Sequence, residues 1–150
     1  MNYIVGNLLD TPDKYIIHGC NSQGVMGSGV ALQIKETYPQ AYTDYRELCQ
    51  LLDPIDLLGR TKVSLQPDGK VIINAITQLN YGKDGRRYVS YDAIDDCMRG
   101  INDWLPKNEI CSISIPRIGA GLGGGNWKVI EQIISERLWF HEVTVWDLYY

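Results

Sequence analysis

The stretch HGCNSQGVMGSGVALQIK, residues 18–35, follows the apolar run Tyr15-Ile16-Ile17 and leads into a helical pattern. It holds four glycines, at positions 19, 24, 27 and 29. Each glycine gives up backbone entropy on folding and packs no side chain, so this density costs stability. A strand-to-helix connection ordinarily needs only about 2 to 6 residues and no such run of glycines. A bare backbone ahead of a helix suits the close approach of an anion. First-turn N–H groups have no intrahelical partner, and the helix dipole presents its positive end there.

The pattern recurs in IPRIGAGLGGGNW, residues 115–127, between a strand expected at 110–115 and a helix expected at 127–138. Two such loops on one ligand suit a diphosphate better than a single phosphate, because each brings its own backbone donors. Other signatures are tested by spacing. No GxxxxGK[ST] occurs, which removes a P-loop, and Cys20 lacks an arginine six positions on because residue 26 is Met. Gly119, Gly121 and Gly124 match GxGxxG, with Glu142 and Asp147 as acids for a ribose, so a nicotinamide dinucleotide is a competing reading. That reading expects the fold to continue well past this unit, whereas only one strand follows it.

Working outward, residues 2–5 and 15–19 read as strands on either side of the turn signals Asp10-Thr11-Pro12-Asp13. Val30, Ile34 and Tyr38 recur at helical spacing up to Pro39, and 41–52 continue as a second helix. Residues 58–66 and 71–78 alternate and pair as a hairpin across Pro67-Asp68-Gly69-Lys70. A polar loop, 80–90, precedes a helix with the face Tyr91, Ile94, Cys97, Met98, Ile101 and Leu105, and Ser90 is its N-cap. Residues 142–148 form the closing strand. Strands interleaved with helices predict a three-layer α/β/α domain with a mixed sheet. Ligands of such sheets sit beyond the carboxyl ends of the strands, where both glycine loops begin.

With 150 residues and 45% hydrophobic content, the expectation is one domain over 1–150 with its own core. A net charge of -4 and a pI near 5.1 argue against nonspecific nucleic-acid or membrane-surface binding. Cys20, Cys49, Cys97 and Cys111 show no CxxC spacing, and no signal-like segment precedes them, so the thiols are expected reduced and the protein cytoplasmic. His18 and His141 stand apart from metal-ligand spacings, so no metal and no cofactor are expected. No apolar run approaches the roughly 18 residues of a membrane span.

The runs IIHGCNSQGVMGSGVALQIKETYPQAY, NAITQ and IPRIGAGLGGGNW resemble the macrodomain family, whose members bind ADP-ribose. The similarity runs in the right order over nearly the whole chain. Within the family it is most similar to the small ADP-ribose 1″-phosphate phosphatases, with kinship to the terminal ADP-ribose protein glycohydrolase branch. The resemblance implies about six mixed strands between helices. It also implies ADP-ribose or ADP-ribose 1″-phosphate as ligand and ADP-ribosylated protein as a candidate partner. The chain is expected to be a monomer.

Carried onto this sequence, the resemblance assigns Asn21 to the hydroxyls of the distal ribose, since an amide both donates to and accepts from a diol. It assigns the diphosphate to Gly24, Val25, Met26, Gly27, Ser28, Gly29 and Val30, and to Ile118, Gly119, Ala120, Gly121, Leu122 and Gly123. For adenine it offers Asn7, where many members carry an aspartate, and an aromatic past the last strand: Tyr149, with Trp146 and Tyr150 as alternatives. His18, three residues before Asn21, is the expected catalytic group, protonating a leaving group or orienting a water. The lysine and aspartate of the glycohydrolase branch are replaced by Gln78 and Gly123, which argues against a lysyl adduct. Tyr81, Lys83, Arg86, Arg87 and Tyr88 form a basic loop, hinged at Gly82 and Gly85, that suits an additional phosphate. The leading expectation is therefore phosphate removal from ADP-ribose 1″-phosphate. A noncatalytic reader of ADP-ribose, or a hydrolase acting on ADP-ribosylated side chains, stands beside it.

Overall fold

The segments Tyr15–Asn21 and Val71–Gln78 are buried along almost their whole length, on both faces of the pleat. Only helices on both sides of a sheet satisfy that pattern. The computed structural model describes residues 1–148. Its strands are β1 (Asn2–Val5), β2 (Tyr15–Asn21), β3 (Thr61–Leu65), β4 (Val71–Gln78), β5 (Ser112–Ile115) and β6 (Glu142–Asp147). They form one sheet in the order β1-β6-β5-β2-β4-β3, parallel throughout except for the β3–β4 hairpin. The helices are α1 (Gly29–Thr37), α2 (Pro39–Leu51), the single turn α3 (Pro54–Leu57), α4 (Tyr91–Trp104) and α5 (Trp127–Arg137). This is the expected three-layer α/β/α architecture with a mixed six-stranded sheet.

Alternation along the strands sorts the core. Ile17, Ile73 and Ala75 face Ile94 and Met98 of α4 and Ile130 and Ile134 of α5. Ile16 and Ile72 face Ile34 and Ala41, while Cys20 and Ile76 face Met26, Tyr45 and Leu57. Each buried isoleucine contributes about 1.5 to 3 kcal/mol, so both layers are held mainly by these side chains.

Element ends differ modestly from expectation. β2 runs two residues further than residue 19, and α2 starts at Pro39, whose fixed φ and missing N–H suit a first helical position. The turn α3 was not expected, because four residues are too few to show a period. Ser90 caps α4 as expected, its Oγ accepting from the Ala93 N–H at 3.1 Å. The hairpin turn closes through the Gln66 N–H on the Lys70 carbonyl at 2.9 Å.

Two irregularities shape what lies beyond the strands. β2 pairs with β5 only at Tyr15–Ile113 and Ile16–Ser114, after which the two part company. On its other side the register of β2 slips: Cys20 lies opposite Ile76, but Asn21 lies opposite Gln78, leaving Thr77 unmatched.

Candidate functional site

A cleft of about 470 Å3 opens at the carboxyl ends of β2, β4 and β5, a size that suits a nucleotide-like ligand. Its walls are the end of β2, both glycine loops with the first turn of α1, the end of β4, residues 81–83, and Leu148.

The first loop is built on Asn21. Its Oδ1 accepts from the Gln23 N–H at 2.9 Å and the Val25 N–H at 3.4 Å, while its Nδ2 donates to the Val25 carbonyl at 2.8 Å. From α2, the fully buried Tyr45 places its hydroxyl 2.6 Å from the Asn21 carbonyl and 3.0 Å from Oδ1. Asn21 lines the cleft, and its second amide hydrogen is not spent on the loop. Met26, 1% exposed, anchors the loop in the core beside Tyr45 and Leu57. Ser28 occupies the N-cap position of α1 but makes no capping bond with its side chain, whereas Ser90 and Asn126 cap α4 and α5. The first-turn amides of α1 thus face the cleft without competition from their own cap.

In the second loop the glycines divide into two kinds. A Cβ on Gly119 would come 2.6 Å from Val89, and one on Gly125 would come 2.8 Å from Ile130. One on Gly124 would run into the Arg86 carbonyl. These positions are glycine because the loop packs tightly against residues 86–89, where the Tyr88 and Val89 amides donate to the Gly123 carbonyl at 2.7 and 3.0 Å. Gly121 is different. Its φ is not positive and a Cβ there meets nothing within 4 Å. Gly27 in the first loop is similar, meeting only Val25 at 3.4 Å. Neither position is glycine for the sake of the fold, and both line the cleft.

Charge in the cleft has one sign. No aspartate, glutamate or histidine lines it among the described residues, whereas Lys83 and Arg117 do. Arg117 forks onto Asp147 at 2.6 and 3.0 Å, and its guanidinium lies 5.6 Å from the ring centres of both Tyr3 and Trp127. That fork holds the Asp147 carboxyl below its ordinary range. Lys83 sits on a loop organised by Asp84, which accepts from the Tyr88 hydroxyl at 2.7 Å and the Arg86 N–H at 3.2 Å. Gly82 has no room for a Cβ, because the Tyr88 hydroxyl occupies that place. Of the other residues expected in a basic loop, Arg86 pairs with Asp84 at 3.1 Å, and Arg87 stacks on Tyr91 at 4.6 Å. Neither lines the cleft.

Of the residues expected to hold a diphosphate, Val25, Gly27, Ser28, Gly29, Val30, Ile118, Gly119, Gly121, Leu122 and Gly123 line the cleft. Gly24, Met26 and Ala120 do not. Gly24 makes the turn, at φ 75°, and Met26 is the anchor.

His18 is placed elsewhere than expected. It shares a strand face with Ile16 and Cys20, is wholly buried, and puts Nε2 2.6 Å from Oδ1 of Asn74, its register partner on β4. Since an amide oxygen only accepts, Nε2 carries the proton. Asn74 in turn donates to the Ala41 carbonyl of α2 and the Lys62 carbonyl of β3, both at 3.2 Å. Burial pushes the imidazole down to about 4, against the opposing pull of Asn74. His18 ties helix to sheet and does not reach the cleft, because it lies two residues further back along β2 than Cys20 and is spent on Asn74 beneath α2. Cys20, two residues along the same face, does line it, and burial raises its thiol well above the ordinary range, so it is a neutral wall.

The adenine candidates are also relocated. Asn7 caps a 3-10 turn, its Oδ1 accepting from the Leu9 N–H at 3.0 Å, and it is not among the cleft residues. Trp146 packs with the α1 layer and donates from Nε1 to Ser114 at 3.0 Å. Tyr149 and Tyr150 lie outside the described residues. Sequence reasoning missed Gly19, Cys20, Thr77, Arg117 and Leu148 as lining residues. Their shared signal is position, at or just beyond the carboxyl end of a strand.

A family profile described as Macro domain matches residues 17–134. The chain belongs to the macrodomain family. Over 151 aligned residues the macrodomain is 31% identical to a DNA ADP-ribosyl glycohydrolase of Thermus aquaticus. That alignment covers 97% of this chain but 40% of the relative, so the macrodomain spans less than half of that protein. It is 27% identical over 179 residues to an ADP-ribose 1″-phosphate phosphatase of Saccharomyces cerevisiae, covering 99% of this chain and 98% of that one. A solved structure of a Bacteroides thetaiotaomicron protein of unknown function superposes with a TM-score of 0.85 at 30% identity, over 98% of this chain and 97% of that one.

Proposed function

We propose that this macrodomain binds ADP-ribose in the cleft and hydrolyses the phosphate from ADP-ribose 1″-phosphate. The observation that carries the binding half is the pair Gly27 and Gly121, glycines that neither backbone conformation nor packing demands, lining one cleft free of acidic groups among the described residues. Bare backbone at both positions lets the diphosphate reach the amides of both loops and the positive end of α1. Asn21, already fixed by Tyr45, offers its remaining N–H to the distal ribose.

Cleft composition supports phosphate removal over deglycosylation. Glycoside hydrolysis ordinarily works through a pair of carboxyl groups, and no carboxylate lines this cleft among the described residues. Phosphoryl transfer asks the protein mainly for positioning and neutralisation of charge. A water attacks phosphorus as the bond to the 1″ oxygen breaks; one of the water's protons ends on that oxygen, which leaves as the sugar hydroxyl, and the other stays with the inorganic phosphate. Lys83, on its Asp84-clasped loop, supplies the positive charge for the departing phosphate. The full-length similarity to the yeast phosphatase supports the same reading. A second reading, release of ADP-ribose from a modified macromolecule, is favoured by the Thermus aquaticus relative.

One assay separates them. Purified protein is incubated with ADP-ribose 1″-phosphate, scored for inorganic phosphate, and in parallel with ADP-ribosylated DNA and protein, scored for free ADP-ribose. Phosphate release alone supports the proposal. ADP-ribose release alone establishes the second reading, and binding of ADP-ribose without either product makes the domain a reader.

A further inference from the structure

Thr77 sits next to the last residue of β4, in a strand whose preceding side chains on the same face, Ile73 and Ala75, are core. It is 1% exposed, and its Oγ1 has no hydrogen-bond partner among the described residues. A buried hydroxyl left unpaired is unfavourable, and valine has the same shape with no polar atom to satisfy. Packing alone therefore favours valine.

Three further features converge on this hydroxyl. The register slip between β2 and β4 falls at Thr77, which is the residue left without a partner. Such irregularities beside a site re-aim a side chain out of the regular pleat. Diagonally across on β2 lies Gly19, the register partner of Ala75; its φ is not positive, so the backbone there does not need glycine. A Cβ on Gly19 would stand 3.0 Å from Thr77 Oγ1 and 3.1 Å from Ile118 Cγ2. Glycine at 19 therefore lets Thr77 and Ile118 approach the backbone of β2 closely without crowding Oγ1, and all three residues line the cleft.

We infer that Thr77 Oγ1 is a ligand-binding group that hydrogen-bonds a ribose hydroxyl of the bound nucleotide, with the bare Gly19 leaving that oxygen uncrowded. This rests on the reading of the cleft as an ADP-ribose site and adds a specificity residue to it. These surroundings favour a sugar hydroxyl over a phosphate oxygen. The neighbours of Oγ1 are a glycine and an isoleucine methyl, and an anion seated beside it would lose hydration with one neutral hydroxyl in return. A site built to bond a hydroxyl also rejects the analogue that lacks it.

The test compares wild type, Thr77→Val, Thr77→Ser and Gly19→Ala by calorimetry with ADP-ribose, together with thermal melting of each free protein. Thr77→Val is expected to weaken ADP-ribose about 5- to 20-fold while its melting temperature stays level or rises. Thr77→Ser is expected to stay within about threefold of wild type. Gly19→Ala, whose methyl would crowd Thr77 Oγ1 at 3.0 Å and Ile118 at 3.1 Å, is expected to weaken binding at least as much as Thr77→Val. Thr77→Val binding within about twofold of wild type overturns the assignment, as does a clear fall in its melting temperature, which marks the hydroxyl as structural. Wild-type protein that fails to bind ADP-ribose overturns the functional reading itself, an outcome distinct from binding that is merely insensitive to Thr77.

Discussion

The Tyr45 hydroxyl, 2.6 Å from the Asn21 carbonyl and 3.0 Å from the Asn21 side-chain oxygen, fixes the first glycine loop from beneath. Tyr45 belongs to α2 and Asn21 ends β2, so the loop is braced by the packing of a helix on the sheet. Tyr45→Phe keeps the ring and removes that brace. The expected result is a loss of about 1 kcal/mol in stability and a several-fold weaker affinity for ADP-ribose, read by denaturant titration and calorimetry. Asn21→Ala removes the whole loop network and the ribose contact, and should cost about 1 to 3 kcal/mol of binding. Combined, the two should lose less than the sum of the single effects, because they break one network.

The two kinds of glycine make opposite predictions. Gly121→Ala introduces a methyl into open space at ordinary φ, so melting should be unchanged or slightly raised while ADP-ribose binding falls at least tenfold. Gly119→Ala puts a methyl 2.6 Å from Val89 at φ 74°, and should lose about 1 to 3 kcal/mol of stability. A Gly121→Ala protein that binds as wild type would remove the second loop from the ligand.

His18 gives a pH signature. Its imidazole titrates at about 4 when folded, below the ordinary 6.5, because burial disfavours the charged form. Between those values the unfolded chain takes up a proton that the folded chain refuses. Its contribution is therefore fully present above pH 6.5 and is lost as pH falls toward 4, by about 3 kcal/mol in all. His18→Gln should flatten the stability slope in that window, measured by denaturant melts at pH 7.5, 5.5 and 4.5. At pH 7.5 the variant should retain most of the wild-type phosphate release, since His18 does not line the cleft.

Lys83 should matter for charge rather than for the nucleotide. Lys83→Gln is expected to weaken ADP-ribose 1″-phosphate by about 1 kcal/mol, roughly fivefold, and to leave ADP-ribose nearly unchanged. The difference should shrink as salt is raised. Equal losses for both ligands would place the ammonium at the diphosphate instead.

The layers and the loops were legible because they rest on local signals: apolar runs such as 71–76, the turn at Gly69, and glycines clustered ahead of α1 and α5. What stayed hidden depends on pairing between strands distant in sequence. That His18 meets Asn74 rather than the cleft is decided by its register against β4, and no spacing within 18–35 encodes that. Thr77 was invisible for a related reason, since its place follows from a register slip against β2. The glycines of residues 119–125 looked alike in sequence. They separate into packing and open positions only once Val89, Arg86 and Ile130 are set against them.

The brevity of β5 acts as a spacer. Because β5 meets β2 at only two positions, the sheet unzips there, and the gap sets how far apart the two halves of the binding mouth stand. Lengthening that strand by a pair of residues would draw the mouth shut with every lining side chain intact. The size of guest admitted is thus written into strand length, and the rim can change chemically without altering the gauge.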